Sequence, residues 1–224
     1  MKNRILVLLM AMLVTTGLSA QINFFNEKFD DNKNGWPFLG NHEGYSLAIQ
    51  NGHLRIESTS DVGIQTFINP NVNKEDYGLS AKMILEKGDA EGFIGIRFGM
   101  SEDGESYYSF LYDNTGFYGV YKYDKKMKKL SSGKAEGVVK KFEYNDLLVI
   151  KEGKKFSFEI NGEQIYSANL KTFGDFIAIK TSPRTTVMVD EINIYDDKKA
   201  SDIANSALDK MYKDLGLSKG KGGK

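Results

Sequence analysis

The residues of this chain best suited to chemistry are aromatic. Trp36 lies in a Gly-Trp-Pro loop, and Tyr107 and Tyr118 lie in two alternating segments that follow a third segment carrying Arg97. Trp and Tyr rings combine an apolar face with a polar edge, and a guanidinium donates several hydrogen bonds. Together they predict a surface that stacks on sugar rings and binds their hydroxyl groups. Ordinary packing of these rings, with Trp36 as a plug against the edge of the fold, is the alternative.

The orientation of the two tyrosines depends on the loop Asp113–Gly116. A two-residue turn at Asn114-Thr115 places Tyr107 and Tyr118 on one face of the hairpin, because side chains alternate along a strand. That face is expected to lie outward near Arg97. The opposite face is more aromatic and is expected in the core: Tyr108, Phe110, Tyr112, Phe117, Gly119 and Tyr121. One extra loop residue would swap the faces.

The histidines and the lysine-rich segment are weaker candidates. His42 and His53 are eleven residues apart in a chain without cysteine, so zinc or triad chemistry is disfavoured and solvent-facing turn residues are expected. Segment 122–141 holds eight Lys against two acidic residues. An acidic polymer is one interpretation of that segment, and a solvated hairpin is the favoured one.

The elements that must position these residues are strands joined by tight turns. In Leu147–Leu170, glycine turns at Glu152-Gly153 and Asn161-Gly162 join three alternating runs. Two-residue turns predict that Val149 faces Phe156 and that Phe158 faces Ile165. Five side chains then share a buried face: Leu147, Val149, Phe156, Phe158 and Ile165.

The same pattern continues from residue 22 to residue 195. About a dozen short strands recur at intervals of roughly ten residues, with no helical pattern between them. The fold class is therefore all-β, a two-sheet antiparallel jelly-roll sandwich occupying residues 22–195.

The two ends of the chain differ from this middle part. Lys2 and Arg4 precede ten apolar residues, Ile5–Val14, and such a run is too short to span a bilayer, which takes roughly twenty. Residues 1–20 are predicted to be a signal peptide, so the mature chain is expected to be secreted or periplasmic. In 196–224, an apolar stripe predicts a short amphipathic helix followed by a disordered basic tail.

Composition excludes further classes of protein. The chain has 30 basic and 30 acidic residues and no cysteine. There is no net positive field to attract nucleic acid, no later stretch apolar enough to be a membrane span, and no disulfide. Stability must come from burial, which 14 Phe and 12 Tyr can supply.

Several short motifs occur in a characteristic order: Phe29-Asp30-Asp31 ahead of Trp36, Ile49–Leu54, Gly92–Phe98, Tyr107–Phe110, Leu148–Ile150, Ile160–Gly162 and Val189–Ile192. In this order the chain resembles the concanavalin A-like lectin/glucanase superfamily of jelly rolls. More narrowly, it is similar to secreted bacterial domains of laminin-G-like and 3-keto-glycoside hydrolase-like type. This resemblance implies a fold more specifically than a function, because the superfamily includes lectins, glycosidases and protein-binding modules.

The resemblance also implies two kinds of site. Sandwiches of this kind often join the first and last strands through a structural calcium ion, and Asp30, Asp31 and Asp190 match those positions; no other cofactor is expected. Retaining glycosidases of this fold place two carboxyl groups about 5 Å apart on a Glu-x-Asp-x-x-Glu strand. That motif is absent, and its nearest approach, Glu86–Glu91, has turn-like spacing.

The sequence therefore predicts a secreted, non-catalytic module that binds glycan or an extracellular protein. A glycosidase-like enzyme is the first alternative, with Glu91 or Glu105 among the acids facing each other across a groove. A structural domain that assembles through its C-terminal helix is the second. Oligomeric state is not predicted.

Overall fold

The computed structural model describes residues 23–72, 74–88 and 92–196. The predicted signal peptide and C-terminal helix lie outside these residues and stay predictions. Within the described part, no helix has the length and apolarity needed to cross a membrane.

The described residues form fifteen strands in two antiparallel sheets, which confirms the all-β sandwich. The nine-stranded sheet contains β1 (Asn23–Glu27), β2 (Gly40–His42), β3 (Tyr45–Gln50), β4 (His53–Ser58), β6 (Tyr77–Lys87), β11 (Asn145–Glu152), β12 (Lys155–Ile160), β13 (Glu163–Asn169) and β15 (Thr186–Tyr195). The six-stranded sheet contains β5 (Gln65–Ile68), β7 (Phe93–Met100), β8 (Ser106–Asp113), β9 (Phe117–Asp124), β10 (Lys126–Lys134) and β14 (Phe176–Thr181). The order across the second sheet is β10-β9-β8-β7-β14-β5.

Four phenylalanines bridge the two sheets at the centre of the core. Phe98 and Phe110 point inward from β7 and β8, and their rings lie 5.8 and 5.5 Å from the ring of Phe158 on β12. Phe98 also stacks on Phe156 at 6.0 Å. Each of these rings is fully buried, and each would contribute about 1.5–3 kcal/mol of burial free energy. Side chains alternate along a strand. Since Phe98 and Phe110 point into the core, their neighbours on β7 and β8 must point to the outward face of the sheet.

The central meander keeps four of its five predicted core residues, Leu147, Val149, Phe156 and Phe158, but not its predicted pairing. Val149 pairs with Phe158 and Lys151 with Phe156, so the first turn lies at Gly153-Lys154 rather than at Glu152-Gly153. This shift is by two residues, so the same side chains stay buried.

The second turn of the meander forms as predicted, with positive φ at Asn161 and Gly162. A bulge at Phe158/Glu159 then pairs Phe158 with Tyr166. The predicted Phe158–Ile165 pair is therefore wrong, and Ile165 is only partly buried.

The hairpin of β8 and β9 has a longer loop than predicted. Tyr112 pairs with Tyr118 and Tyr107 with Tyr123, whereas a turn at Asn114-Thr115 would pair Tyr112 with Phe117. Gly116 supplies the extra loop residue at φ 84°, a conformation that favours glycine. A shift of one residue reverses the facing of every β9 side chain, so Tyr118 points inward.

Candidate functional site

The outward face of the six-stranded sheet holds a groove of about 650 Å³. Strands β7, β8, β9 and β14 form its floor, and β10 adds one side. Its lining includes Arg97, Tyr107, Leu111, Tyr121, Tyr123 and Lys180. Most of this lining is apolar or aromatic, with a few polar groups, as in sites that bind small molecules.

Tyr107 is the centre of a three-membered stack across adjacent strands. The Arg97 guanidinium lies 3.9 Å from the centroid of the Tyr107 ring. The Tyr123 ring stacks on Tyr107 at 5.1 Å with a 12° interplanar angle. Since β8 lies between β7 and β9, the two neighbours cover opposite faces of the ring. Tyr107 therefore lines the groove as predicted, but it holds Arg97 and Tyr123 in place rather than offering a free face.

Tyr121 lies along β9 over Gly119, on the floor of the groove. A Cβ added at Gly119 would stand 2.8 Å from both Cζ and the hydroxyl oxygen of Tyr121, which is closer than non-bonded atoms approach. The bare glycine is what lets the ring lie down. Tyr121 is therefore the ring best placed to receive a flat ligand.

Arg97 is held without an ionic partner among the described residues. Its Nη1 donates a hydrogen bond to Gln65 Oε1 on β5, and its buried Nε finds no hydrogen-bond acceptor. Burial lowers the pKa of Arg97, and its interaction with Tyr107 partly offsets this. A guanidinium stays charged at any physiological pH, so Arg97 brings a fixed positive charge to the groove.

Lys180 is the second cation of the floor. It faces the groove from β14. Lys180 pairs with Gly95, two residues before Arg97 on β7, and Arg97 pairs with Ala178. Burial and, to a smaller extent, the charge of Arg97 together lower the pKa of Lys180 to about 8. Lys180 is therefore mostly protonated at neutral pH, close to its midpoint.

Asp113 is the only carboxylate among the described lining residues. One of its oxygens, Oδ1, accepts hydrogen bonds from the Thr115 amide and hydroxyl at 2.7 Å and from the Phe117 amide at 3.0 Å. These bonds cap the β8–β9 loop. Asp113 thus acts as a turn residue, and no second lining carboxylate faces it within the described part of the chain.

Trp36 and Tyr118, two of the four predicted ligand-binding residues, lie away from the groove lining. Trp36 is 2% exposed, and its Nε1 donates to the buried Glu27 Oε2 at 2.9 Å. Trp36 therefore packs as a plug in the fold, which was the alternative to ligand binding in the sequence analysis. Tyr118 was expected to face outward with Tyr107, and this is wrong because of the longer loop. Its hydroxyl contacts Ser131 Oγ at 3.3 Å and the Ile165 carbonyl at 3.4 Å.

The predicted calcium ligands do not form a cluster of acidic side chains. Asp190 already contacts Lys82 Nζ at 2.6 Å and His53 Nε2 at 3.2 Å, and Asp31 accepts from the Lys33 amide at 2.9 Å in an exposed turn. Asp30 is exposed. Across 23–72, 74–88 and 92–196, no three His, Asp or Glu side chains come together as a metal site. Calcium stays a prediction that these side chains alone do not support.

Three groove residues escaped the sequence prediction: Tyr121, Tyr123 and Lys180. A usable signal existed for the tyrosines. Asp-Asn-Thr-Gly at 113–116 fits a three-residue hairpin loop, in which a type I turn is followed by a left-handed glycine. Reading the loop that way places Tyr121 and Tyr123 beside Tyr107. Nothing in the local pattern of Lys180 distinguishes it from a solvated lysine.

No family model matches the chain, and no curated protein matches it either. Solved structures do match. A galectin-like-fold protein of unknown function from Bacillus subtilis has a TM-score of 0.60 at 10% identity, covering 79% of this chain and 96% of its own. The carbohydrate-binding module CBM66 from Bacillus subtilis has a TM-score of 0.54 at 14% identity, covering 71% of this chain and 100% of its own.

An enzyme domain is among the similar structures as well. The catalytic domain of an endo-1,3-beta-glucanase (laminarinase) from Thermotoga petrophila has a TM-score of 0.61 at 12% identity, covering 80% of this chain and 98% of its own. At such low identity these likenesses establish the fold alone. The chain has the jelly-roll sandwich fold that concanavalin A-like proteins share.

Proposed function

We propose that this protein binds carbohydrate in the groove on the outward face of its six-stranded sheet, without catalysing a reaction. The observation that carries the proposal is the Tyr121 ring laid over Gly119 beside the Tyr107–Tyr123 stack. Flat apolar rings with polar edges match the alternating apolar faces and hydroxyl edges of a pyranose. Arg97, Lys180 and Ser109 add hydrogen-bonding groups to the same floor.

The structural comparisons support a sugar ligand in general terms. One similar structure is named a carbohydrate-binding module and another the catalytic domain of a laminarinase. These names describe those proteins, and they are compatible with either binding or catalysis on this fold.

The carboxylates of the groove favour binding over hydrolysis. A retaining glycosidase needs two carboxyl groups about 5 Å apart, and the single lining carboxylate of the described residues, Asp113, is engaged by its own loop. Of the acids predicted for an enzyme, Glu105 is exposed in the turn before β8, and Glu91 lies outside the described residues.

Two features beyond the groove belong to the proposal. With the predicted signal peptide, we propose that the mature protein is secreted or periplasmic, where it would meet glycans and extracellular proteins. Assembly through the predicted C-terminal helix is a separate alternative, and that helix lies outside the described residues.

A glycan array probed with the purified protein and its Tyr121→Ala variant tests the proposed function. We expect binding to one or more polysaccharides and its loss in the variant. Tyr45→Ala is a matched control, because Tyr45 is a half-buried tyrosine stacked on His42 in the other sheet. Absence of binding to every glycan would refute the proposal, and release of reducing sugar from a bound glycan would favour the enzyme alternative.

A further inference from the structure

The groove is positively charged although the chain is neutral overall. The whole sequence balances 30 basic against 30 acidic residues. The described lining residues nevertheless include three cations, Arg97, Lys134 and Lys180, and one anion, Asp113. This excess is therefore a local feature of the groove.

Two of the cations on the floor, Arg97 and Lys180, have no counterion among the described residues. Lys134 Nζ lies at one end, where it donates to the Thr115 carbonyl at 3.0 Å, and Asp113 is engaged by that same loop. Within the described residues, no carboxylate lies at ion-pair distance from Arg97 or Lys180. The buried Nε of Arg97 is also without an acceptor.

Strand pairing places these two cations close together. Arg97 pairs with Ala178 and Lys180 pairs with Gly95, so the two are diagonal neighbours on adjacent antiparallel strands, roughly 7–8 Å apart at the backbone. Both cations line the groove. The lowered pKa of Lys180 reflects burial and the nearby Arg97 charge, and the negative charge of a bound anion would favour the protonated form of Lys180.

We propose that the groove selects acidic carbohydrate, with Arg97 and Lys180 binding a carboxylate or sulfate group of a sugar whose ring lies against Tyr121. This inference rests on the proposed function and names its ligand class. An anionic group supplies the counterion that both cations lack among the described residues. A neutral sugar at the same place would displace water from two charged groups without providing a counterion, and this desolvation costs free energy.

Titration calorimetry with paired polysaccharides tests this selection. The members of each pair differ in charge: polygalacturonate against its neutral full methyl ester, and chondroitin sulfate against its desulfated form, which keeps the uronate carboxylates and loses the sulfates. A neutral β-glucan and polyglutamate complete the set. We expect at least one acidic polysaccharide to bind at least tenfold more tightly than its less charged counterpart, because hydrogen bonds to charged groups are the strong ones. Polyglutamate should bind more weakly than that acidic polysaccharide, because it offers charge without a sugar ring.

Charge-removing variants identify the residues responsible. Lys180→Met and Arg97→Met should each reduce, at least fivefold, the ratio of the affinity for the acidic polysaccharide to the affinity for its less charged counterpart. Lys128→Met makes the same change in net charge on β10, at an exposed lysine outside the groove lining, and should leave the ratio unchanged. Urea unfolding of each variant verifies that it is folded. Lys180→Met should fold at least as stably as wild type, because it removes a partly buried charge.

The outcomes separate this inference from the proposed function. Equal affinity for the more charged and the less charged member of every pair, or a preference for the neutral β-glucan, would overturn the acidic selection and leave sugar binding intact. If polyglutamate binds as tightly as the acidic polysaccharide, or if Lys128→Met lowers the ratio as much as the groove variants do, the preference comes from general charge attraction and the proposed site is overturned. Failure to bind any polysaccharide would overturn both.

Discussion

A single methyl group at Gly119 should remove ligand binding while leaving the fold intact. The Gly119→Ala change places a Cβ 2.8 Å from both Cζ and the hydroxyl oxygen of Tyr121. The added Cβ would lie closer still to Cε2 of the same ring, and non-bonded carbons prefer a separation of about 3.5 Å or more, so the ring must move by more than about 0.7 Å. A movement away from the sheet would take the ring into the groove, where it would occupy the position of the ligand.

The expected loss follows from the area of one ring face. A buried tyrosine covers about 150–250 Å² in total, so a sugar stacked on one face would cover roughly 50 Å². At about 25 cal/mol per Å² this is worth ~1.3 kcal/mol, or close to tenfold in affinity. Steric blocking by the displaced ring would add to that figure.

Stability should change little, because Gly119 needs none of the conformations reserved for glycine. Its φ is outside the left-handed range, so alanine fits the strand and reduces the entropy of the unfolded chain by ~0.4–1 kcal/mol. The strain of moving Tyr121 offsets this. Gly133→Ala on the neighbouring strand is a control, since its added Cβ would lie 3.4 Å from the Tyr118 ring, a distance that a small adjustment accommodates.

A double-mutant cycle measured by calorimetry decides whether Tyr121 carries the effect. If Gly119→Ala acts by displacing that ring, the methyl should cost nothing further once Tyr121→Ala is present. Full affinity in Gly119→Ala would refute the reasoning. An equal loss from the methyl in both backgrounds would also refute it.

Two further predictions concern charge and packing. The folded pKa of Lys180, about 8, lies below its unfolded value, so between these two pH values the unfolded state binds more protons and stability rises with pH. The free energy of unfolding, measured in urea from pH 7 to 10, should therefore rise in wild type relative to Lys180→Met, and parallel curves would contradict the assignment. Trp36→Ala should destabilise the protein by about 3–5 kcal/mol because it empties a buried site and removes a donor to Glu27, yet the folded fraction should bind glycan with wild-type affinity. Weaker glycan binding by that folded fraction would show that Trp36 contributes to the ligand site.

The core was easier to predict than the site, because an error of two residues in strand register keeps each side chain on its face, whereas an error of one residue reverses it. In the central meander, the first turn lies at Gly153-Lys154 rather than one residue earlier, which moves the pairing by two positions. An even shift leaves Val149 and Phe158 on the buried face. The fold class survives such an error unchanged.

The groove is sensitive to odd shifts, and the β8–β9 loop contains one. Its third residue, Gly116, reverses the facing of β9 and exchanges Tyr118 for Tyr121 and Tyr123. Tyr107 and Arg97 were predicted correctly as outward residues because they precede that loop. Lys180 could not be recognised at all, since its significance comes from Arg97, which is more than eighty positions away in sequence and on the neighbouring strand.

The position of Trp36 also has a spectroscopic consequence. It is the only tryptophan of the chain, it packs against Phe29 at 5.6 Å, and it is absent from the groove lining. Its emission should therefore be blue-shifted in the native protein and should report unfolding, while ligands in the groove leave it unquenched. In a tryptophan-free variant such as Trp36→Phe, tyrosine fluorescence would report occupancy of the groove, because tyrosines line it.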